Sequence, residues 1–284
     1  MAKVDNEIRG RLALVTGASG GKEPYPSPHP FPPLSSASTD ISLLLTSIGA
    51  ACARDLWQQG ASLALTCHKN RAAADALAQE LSAQDKSRKI SVHVADMGGS
   101  AAELQQLFLD LETEHGQTGP DILVANAGYG RRIPDILDIP LEEFEYTLRV
   151  NLQAPFLLAQ LSVPHMLRHG WGRVVFVSSI AAIGGGLMGV TVNAASKAGL
   201  TGMMKNLANK HAHLGITFND VAPAMIGDTG LIPDEKTVEG TPGDVKNIPV
   251  GRLGVPQECA NVVTMLCKTG YMTGQSILLS GGLK

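Results

Sequence analysis

The sequence is poor in the features that mark several protein classes, and each shortage removes a candidate. It holds only four cysteines, Cys52, Cys67, Cys259 and Cys267. They form no CxxC pair and have no histidine at ligand spacing, so neither a disulfide framework nor a metal site is signalled. They read as reduced thiols, mostly in the core. No apolar run approaches the roughly 20 residues of a membrane-spanning helix. Neither sign of charge dominates: 23 Lys and Arg face 26 Asp and Glu, for a formal charge of −3. That balance offers no basic surface for nucleic acid or an anionic membrane. With 44% hydrophobic, 17% charged and 4% aromatic residues, the chain is also too apolar to be disordered. The opening MAKVDNEIRGRLALVTG mixes both charge signs and reaches a strand-like run at once, which leaves no room for a signal peptide and points to the cytoplasm. Small-molecule chemistry is the expectation that survives.

What is present is an alternation. Short apolar runs predict strands at Leu12 to Val15, Ser62 to Thr66, Ile90 to Ala95, Ile122 to Ala125, Arg173 to Val177, Ile216 to Val221 and Ser276 to Leu279. Amphipathic stretches predict helices at Ile48 to Gln59, Arg71 to Ala83, Ala101 to Glu114, Leu141 to Leu167, Ala194 to His213 and Pro256 to Lys268. Strand and helix in turn along 284 residues predict one α/β domain over 1–284, a Rossmann-like, doubly wound parallel sheet with helices on both faces.

One segment breaks the alternation. Residues 22–47 hold six Pro and six Ser, with a proline at every second position from Pro24 to Pro32. Alternating prolines remove backbone donors and favour extended polyproline-like chain, so the segment reads as an insertion, mobile and exposed. It is either part of a real lineage or translated non-coding sequence. A proline-rich docking site is the functional alternative.

The insertion interrupts a glycine-rich turn. Thr16-Gly17-Ala18-Ser19-Gly20-Gly21 follows the first strand, and Ile48-Gly49-Ala50-Ala51 opens the first helix. Gly17 suits a tight exit from the strand, Gly21 an approach of backbone N–H groups to a pyrophosphate, and Gly49 close packing of helix on strand. A Walker-type loop is excluded, because Glu23 follows Gly21-Lys22 where Ser or Thr would ligate magnesium. Further on come Asn126-Ala127-Gly128 after the fourth strand, Asn151 in the long helix, Ser178-Ser179 after the fifth strand and Ala194-Ala195-Ser196-Lys197 opening the next helix.

In that order, over nearly the whole length, these motifs resemble the short-chain dehydrogenase/reductase family, most of all its 3-oxoacyl carrier-protein reductases. The resemblance implies hydride transfer between a nicotinamide cofactor and a carbonyl or secondary alcohol, in a homo-oligomer. It gives Ser179 the substrate carbonyl, Lys197 the nicotinamide ribose and the lowering of the proton donor's pKa, and Asn151 a relay water. The cofactor would lie along Gly17, Ser19, Gly21, Ile48 and Gly49, with Asp96 at the adenine, Asn126, Ala127 and Gly128 beside its ribose, and Ile226 at the carboxamide. Cofactor choice is read after the second strand, at Thr66-Cys67-His68-Lys69-Asn70-Arg71. No carboxylate is there to accept from the ribose hydroxyls of NAD, while His68, Lys69 and Arg71 border the site and the two cations suit a 2′-phosphate, so NADP is expected. The alternative is that both cations are merely solvated at a helix start.

The chain departs from the family at its proton donor. A tyrosine four residues before the lysine would be the general acid, and Asn193 stands in its place. A carboxamide has no proton to release at a workable pH, so the expected reductase is impaired. The alternatives are a non-catalytic nucleotide-binding scaffold and an enzyme that uses the pocket for a non-redox reaction such as cyclisation. Tyr129 is a remote substitute donor.

Overall fold

A computed structural model of the protein describes residues 4–19, 47–186 and 190–284. Gly21 and all of the proline-rich segment but Ser47 lie outside the described residues, so the expectations placed on them meet no structural statement. In chain order the elements are β1 (Leu12–Val15), α1 (Ile48–Gln58), β2 (Ser62–Cys67), α2 (Arg71–Ser82), β3 (Ile90–Val94), α3 (Ala101–His115), β4 (Ile122–Ala125), α4 (Leu141–Leu148), α5 (Ala154–His169), β5 (Gly172–Val177), a short α6 (Ala181–Gly184), α7 (Thr191–His211), β6 (Ile216–Pro223), α8 (Pro256–Cys267) and β7 (Ser276–Leu279).

The strands form one seven-stranded sheet in the order β3-β2-β1-β4-β5-β6-β7, parallel throughout. The order reverses between β1 and β4, and in such sheets the crevice at that point, outside the carboxyl ends of the strands, is where ligands bind. Alternation along each strand divides the core. Ala13 and Val15 face Trp57, Leu56 and Val263, while Leu12 and Leu14 face Phe108, Phe176, Met204 and Phe218. A third, smaller apolar cluster of Ile232, Val238, Ile248 and Leu253 lies between β6 and α8. All four cysteines are buried free thiols, and burial pushes Cys259 and Cys267 up to about 12.

Two boundaries differ from the sequence reading. The single helix expected over Leu141 to Leu167 is interrupted by a π-helical turn at Arg149–Gln153. Pro155 has no N–H to return to the Asn151 carbonyl, and Ala154 donates instead to Arg149, five residues back. Ser47, assigned by composition to the insertion, is the N-cap of α1. Its Oγ accepts from the Ala50 N–H at 3.1 Å, satisfying a donor the first helical turn cannot pair internally.

A buried carboxylate ties the base of the sheet. Asp121 accepts the Leu12 N–H at 2.9 Å and lies 3.2 Å from His165 Nε2, with Arg11 at 3.9 Å. Burial pushes its carboxyl up, but the hydrogen bonds from His165 and Leu12 and the Arg11 charge outweigh that and hold it below the usual range. A depressed folded-state pKa contributes stability that is complete above the ordinary Asp value of about 3.9 and is lost as pH falls through the folded value. Asp121→Ala, which strands the Leu12 N–H, is expected to lower urea-unfolding stability at neutral pH by about 1–3 kcal/mol. The deficit should shrink as the pH is taken below 4; a pH-independent deficit would mean that the charge contributes nothing.

Candidate functional site

At the reversal point the glycine turn is built against the loop after β4. Thr16 Oγ1 accepts from the Asn126 and Ala127 N–H groups at 3.0 and 2.9 Å, and Asn126 Nδ2 donates back to the Thr16 carbonyl at 2.9 Å. Gly17 sits at φ +68°, a left-handed conformation that glycine adopts without strain. A Cβ on Gly49 would stand 2.6 Å from the Gly17 carbonyl oxygen and 2.7 Å from Asn126 Nδ2. Only glycine lets α1 come this close to β1. Ser19 is buried, and Ser47 Oγ also reaches the Ala18 carbonyl at 3.4 Å, so the start of α1 with Ile48 and Gly49 sits beside the strand exit. A helix start of this kind presents unpaired N–H groups and a positive dipole end to an anion.

The neighbouring strand ends close one side of the crevice. His68 Nδ1 lies 3.2 Å from Asp96 Oδ1, and Asp96 also accepts the Gly98 N–H at 2.8 Å, which joins the ends of β2 and β3. Arg71 pairs with Asp75 of its own helix at 3.3 Å, with 57% of its side chain exposed. Such exposed i,i+4 pairs are worth only about 0.3–0.5 kcal/mol, so Arg71 is held only weakly to Asp75. Lys69 precedes α2 by two residues.

A second group gathers beyond β4 and β5. Lys197 is only 6% exposed and its Nζ donates to the Val177 carbonyl at 2.8 Å. Burial drives its ammonium down to about 8, against the opposing pull of Asp220. A Cβ on Gly128 would lie 3.5 Å from Lys197 Nζ and 3.6 Å from Asn151 Oδ1, so both polar groups border the Gly128 backbone. Asn151, inside the π turn and fully buried, accepts the Tyr129 N–H at 2.8 Å and donates to the Tyr129 carbonyl at 2.7 Å and Ser196 Oγ at 3.1 Å. Ser179 follows β5 by two residues and its Oγ accepts the Ala181 N–H at 3.1 Å. Ile226, three residues past β6, is buried and bridged to Gly254.

Asn193 and Lys197 share the face of α7 that packs on the loop at 128–130, but their side chains part. Asn193 Nδ2 donates to the Tyr129 carbonyl at 3.2 Å, the oxygen that already receives Asn151. Its amide therefore staples α7 to the loop. Tyr129 is also not placed as a substitute donor. Its hydroxyl donates to Glu143 Oε2 at 3.1 Å and its ring meets Tyr146 edge to face at 4.9 Å.

Sequence reasoning missed Asp220. This fully buried carboxylate accepts the hydroxyls of Ser178 and Ser276 at 2.7 and 2.6 Å. The signal was available: an acidic residue in the middle of the apolar run Ile216 to Pro223.

The sheet order, the glycine-lined strand exit and the helix start beside it define a doubly wound α/β protein of the dinucleotide-binding type. Comparison with known proteins makes this specific. Residues 44–284 match the family model described as enoyl-(acyl carrier protein) reductase. Human dehydrogenase/reductase SDR family member 4 is 33% identical over 254 residues, 88% of this chain and 86% of that one. The 3-oxoacyl-(acyl-carrier-protein) reductase FabG of Rickettsia bellii is 30% identical over 281 residues, 98% of each. Among solved structures, a blue fluorescent protein from a metagenomic library, in complex with NADPH, is 30% identical with a TM-score of 0.79, over 97% of this chain and 98% of that one. The chain belongs to the short-chain dehydrogenase/reductase family.

Proposed function

We propose that this chain is an NADP-dependent oxidoreductase of the short-chain dehydrogenase/reductase type, acting on a carbonyl or secondary alcohol and impaired at proton transfer by Asn193. It works as one domain, in the cytoplasm and as a homo-oligomer. Exposed Phe144 and Phe156 on α4 and α5 supply apolar surface for self-association. The reading rests above all on Lys197 and Asn151 both bordering the Gly128 backbone while Asn193 is tied to the Tyr129 carbonyl.

The glycine turn with Gly17, Ser19, Ile48 and Gly49 takes the pyrophosphate. His68, Lys69 and Arg71 take the 2′-phosphate side, Asp96 the adenine, and Asn126, Ala127 and Gly128 the adjoining ribose. Lys197 holds the nicotinamide ribose with the donor hydrogens its Val177 bond leaves over, and Ile226 covers the carboxamide. The nicotinamide supplies the hydride. Ser179 donates to the carbonyl oxygen, on which negative charge develops, and the ammonium of Lys197 stabilises that charge. Asn151 fixes the loop against which both act. No group at position 193 returns the proton that completes the alcohol.

The NADPH complex of the structural relative supports the choice of NADP. Calorimetric titration at neutral pH is expected to give tighter binding of NADPH than of NADH, because only the former carries the 2′-phosphate for Arg71. Tighter NADH would overturn the cofactor choice, and binding of neither would overturn the proposal. The engagement of Asn193 with Tyr129 favours one second reading, a nucleotide-binding protein without redox turnover. NADPH-dependent reduction of a panel of carbonyls by Asn193→Tyr separates the two: an impaired reductase regains turnover in that variant, and a protein without redox chemistry does not.

A further inference from the structure

Ser178 just past β5, Asp220 within β6 and Ser276 at the start of β7 form a polar cluster that the family chemistry does not call for. Asp220 is fully buried. Its Oδ1 accepts two hydroxyl hydrogen bonds, from Ser178 and Ser276 at 2.7 and 2.6 Å. Among the described residues its Oδ2 has no hydrogen-bond partner. Hydroxyls are neutral donors, so they orient the carboxylate without cancelling its charge, and a buried charge left uncompensated is costly.

The compensating charge lies one peptide away. Lys197 Nζ donates to the carbonyl of Val177, and the next residue, Ser178, donates to Asp220. The ammonium has three donor hydrogens and spends one of them on this carbonyl. The neighbours it meets at β5 and at the loop after β4 are neutral, the Val177 carbonyl and the Gly128 backbone. Among the described residues, Asp220 of β6 is the charge that acts on it.

We propose that Asp220 is the buried counter-charge of Lys197, a positioning residue that keeps the ammonium protonated and directed at the cofactor side of the site. This rests on reading Lys197 as the group that holds the ribose and supplies positive charge. Burial alone lowers an ammonium's pKa, and an opposite charge nearby restores it. In a chain with no phenol at position 193, the pair Lys197 and Asp220 is then the ionisable unit of the site.

The test is a pH titration of Lys197 in the full chain without cofactor, followed by NMR on protein labelled at lysine Cε, with the resonance identified by its loss in Lys197→Met. The midpoint should lie near 8 in the unmodified protein. Asp220→Asn retains an acceptor for both serines and removes the charge, and should lower the midpoint by roughly one unit or more. An unchanged midpoint in a folded variant would overturn the proposal, as would a fall in melting temperature alone, which is all a purely structural Asp220 would give. Should Asp220→Asn fail to fold, the triple variant Ser178→Ala, Asp220→Val, Ser276→Ala removes carboxylate and hydroxyls together and leaves none of the cluster's polar groups stranded; the same fall is expected of it. Because no cofactor is present, failure of NADPH binding and failure of this pairing are read separately.

Discussion

Asn193→Tyr should raise NADPH-dependent carbonyl reduction by about 10²- to 10⁴-fold, the range that general acid catalysis supplies. The variant gives up one hydrogen bond, Asn193 Nδ2 to the Tyr129 carbonyl at 3.2 Å, but that oxygen keeps Asn151 at 2.7 Å, so the loop retains its main tie. A side chain at 193 passes over Gly130, where a Cβ would already stand 2.8 Å from the present amide; a ring is accommodated because glycine is there. Lys197 follows one helical turn later on the same face, and its ammonium would pull the phenol's pKa down from about 10 toward neutrality. Ser179 and position 193 are 14 residues apart, at the long end of the spacing in the family this chain resembles, so the gain will register how closely the phenol approaches the carbonyl. Steady-state NADPH consumption measures it. No gain, in a variant that folds and binds NADPH, would count against a latent reductase site.

Gly49→Ala should damage both stability and cofactor binding. The new methyl group meets the Gly17 carbonyl oxygen at 2.6 Å and Asn126 Nδ2 at 2.7 Å, and neither can give way cheaply. Gly17 is backbone in a fixed left-handed turn, and Asn126 is held by the Thr16 carbonyl at 2.9 Å. The start of α1 must therefore move away from β1, at the roughly 1–3 kcal/mol typical of overpacking. That movement takes the helix N–H groups from the pyrophosphate position, so NADPH affinity should fall about tenfold for each 1.4 kcal/mol lost there. Urea unfolding and calorimetry measure the two effects. Unchanged NADPH affinity in the variant would place the pyrophosphate elsewhere.

Strands β1 and β4 begin and end where the hydrophobic runs Leu12–Val15 and Ile122–Ala125 do, because buried parallel strands are apolar on both faces and leave little doubt about their limits. The π turn was not read, although Pro155 signalled a missing donor, because apolar periodicity alone continues through it. The helix predicted over Ala194 to His213 runs from Thr191 to His211; periodicity cannot tell where a helix starts or stops. At the site, the order of motifs singled out Asn151 and Lys197, and the fold sets both against the Gly128 backbone. It could not give the direction of the Asn193 amide, which depends on a carbonyl 64 residues away, nor the tie of Asp220 to Ser178 and Ser276, which depends on strand register between β5, β6 and β7.

As proposed above, the site binds NADPH and lacks only the group that delivers the proton. The most direct test follows NADPH absorbance in the unmodified protein, after binding has been established by calorimetry, across a panel of ketones, 3-oxoacyl thioesters and aldehydes. Bound cofactor whose absorbance persists with every substrate is the expected result. Rapid oxidation of NADPH with any of them would contradict it and show that another group already supplies the proton.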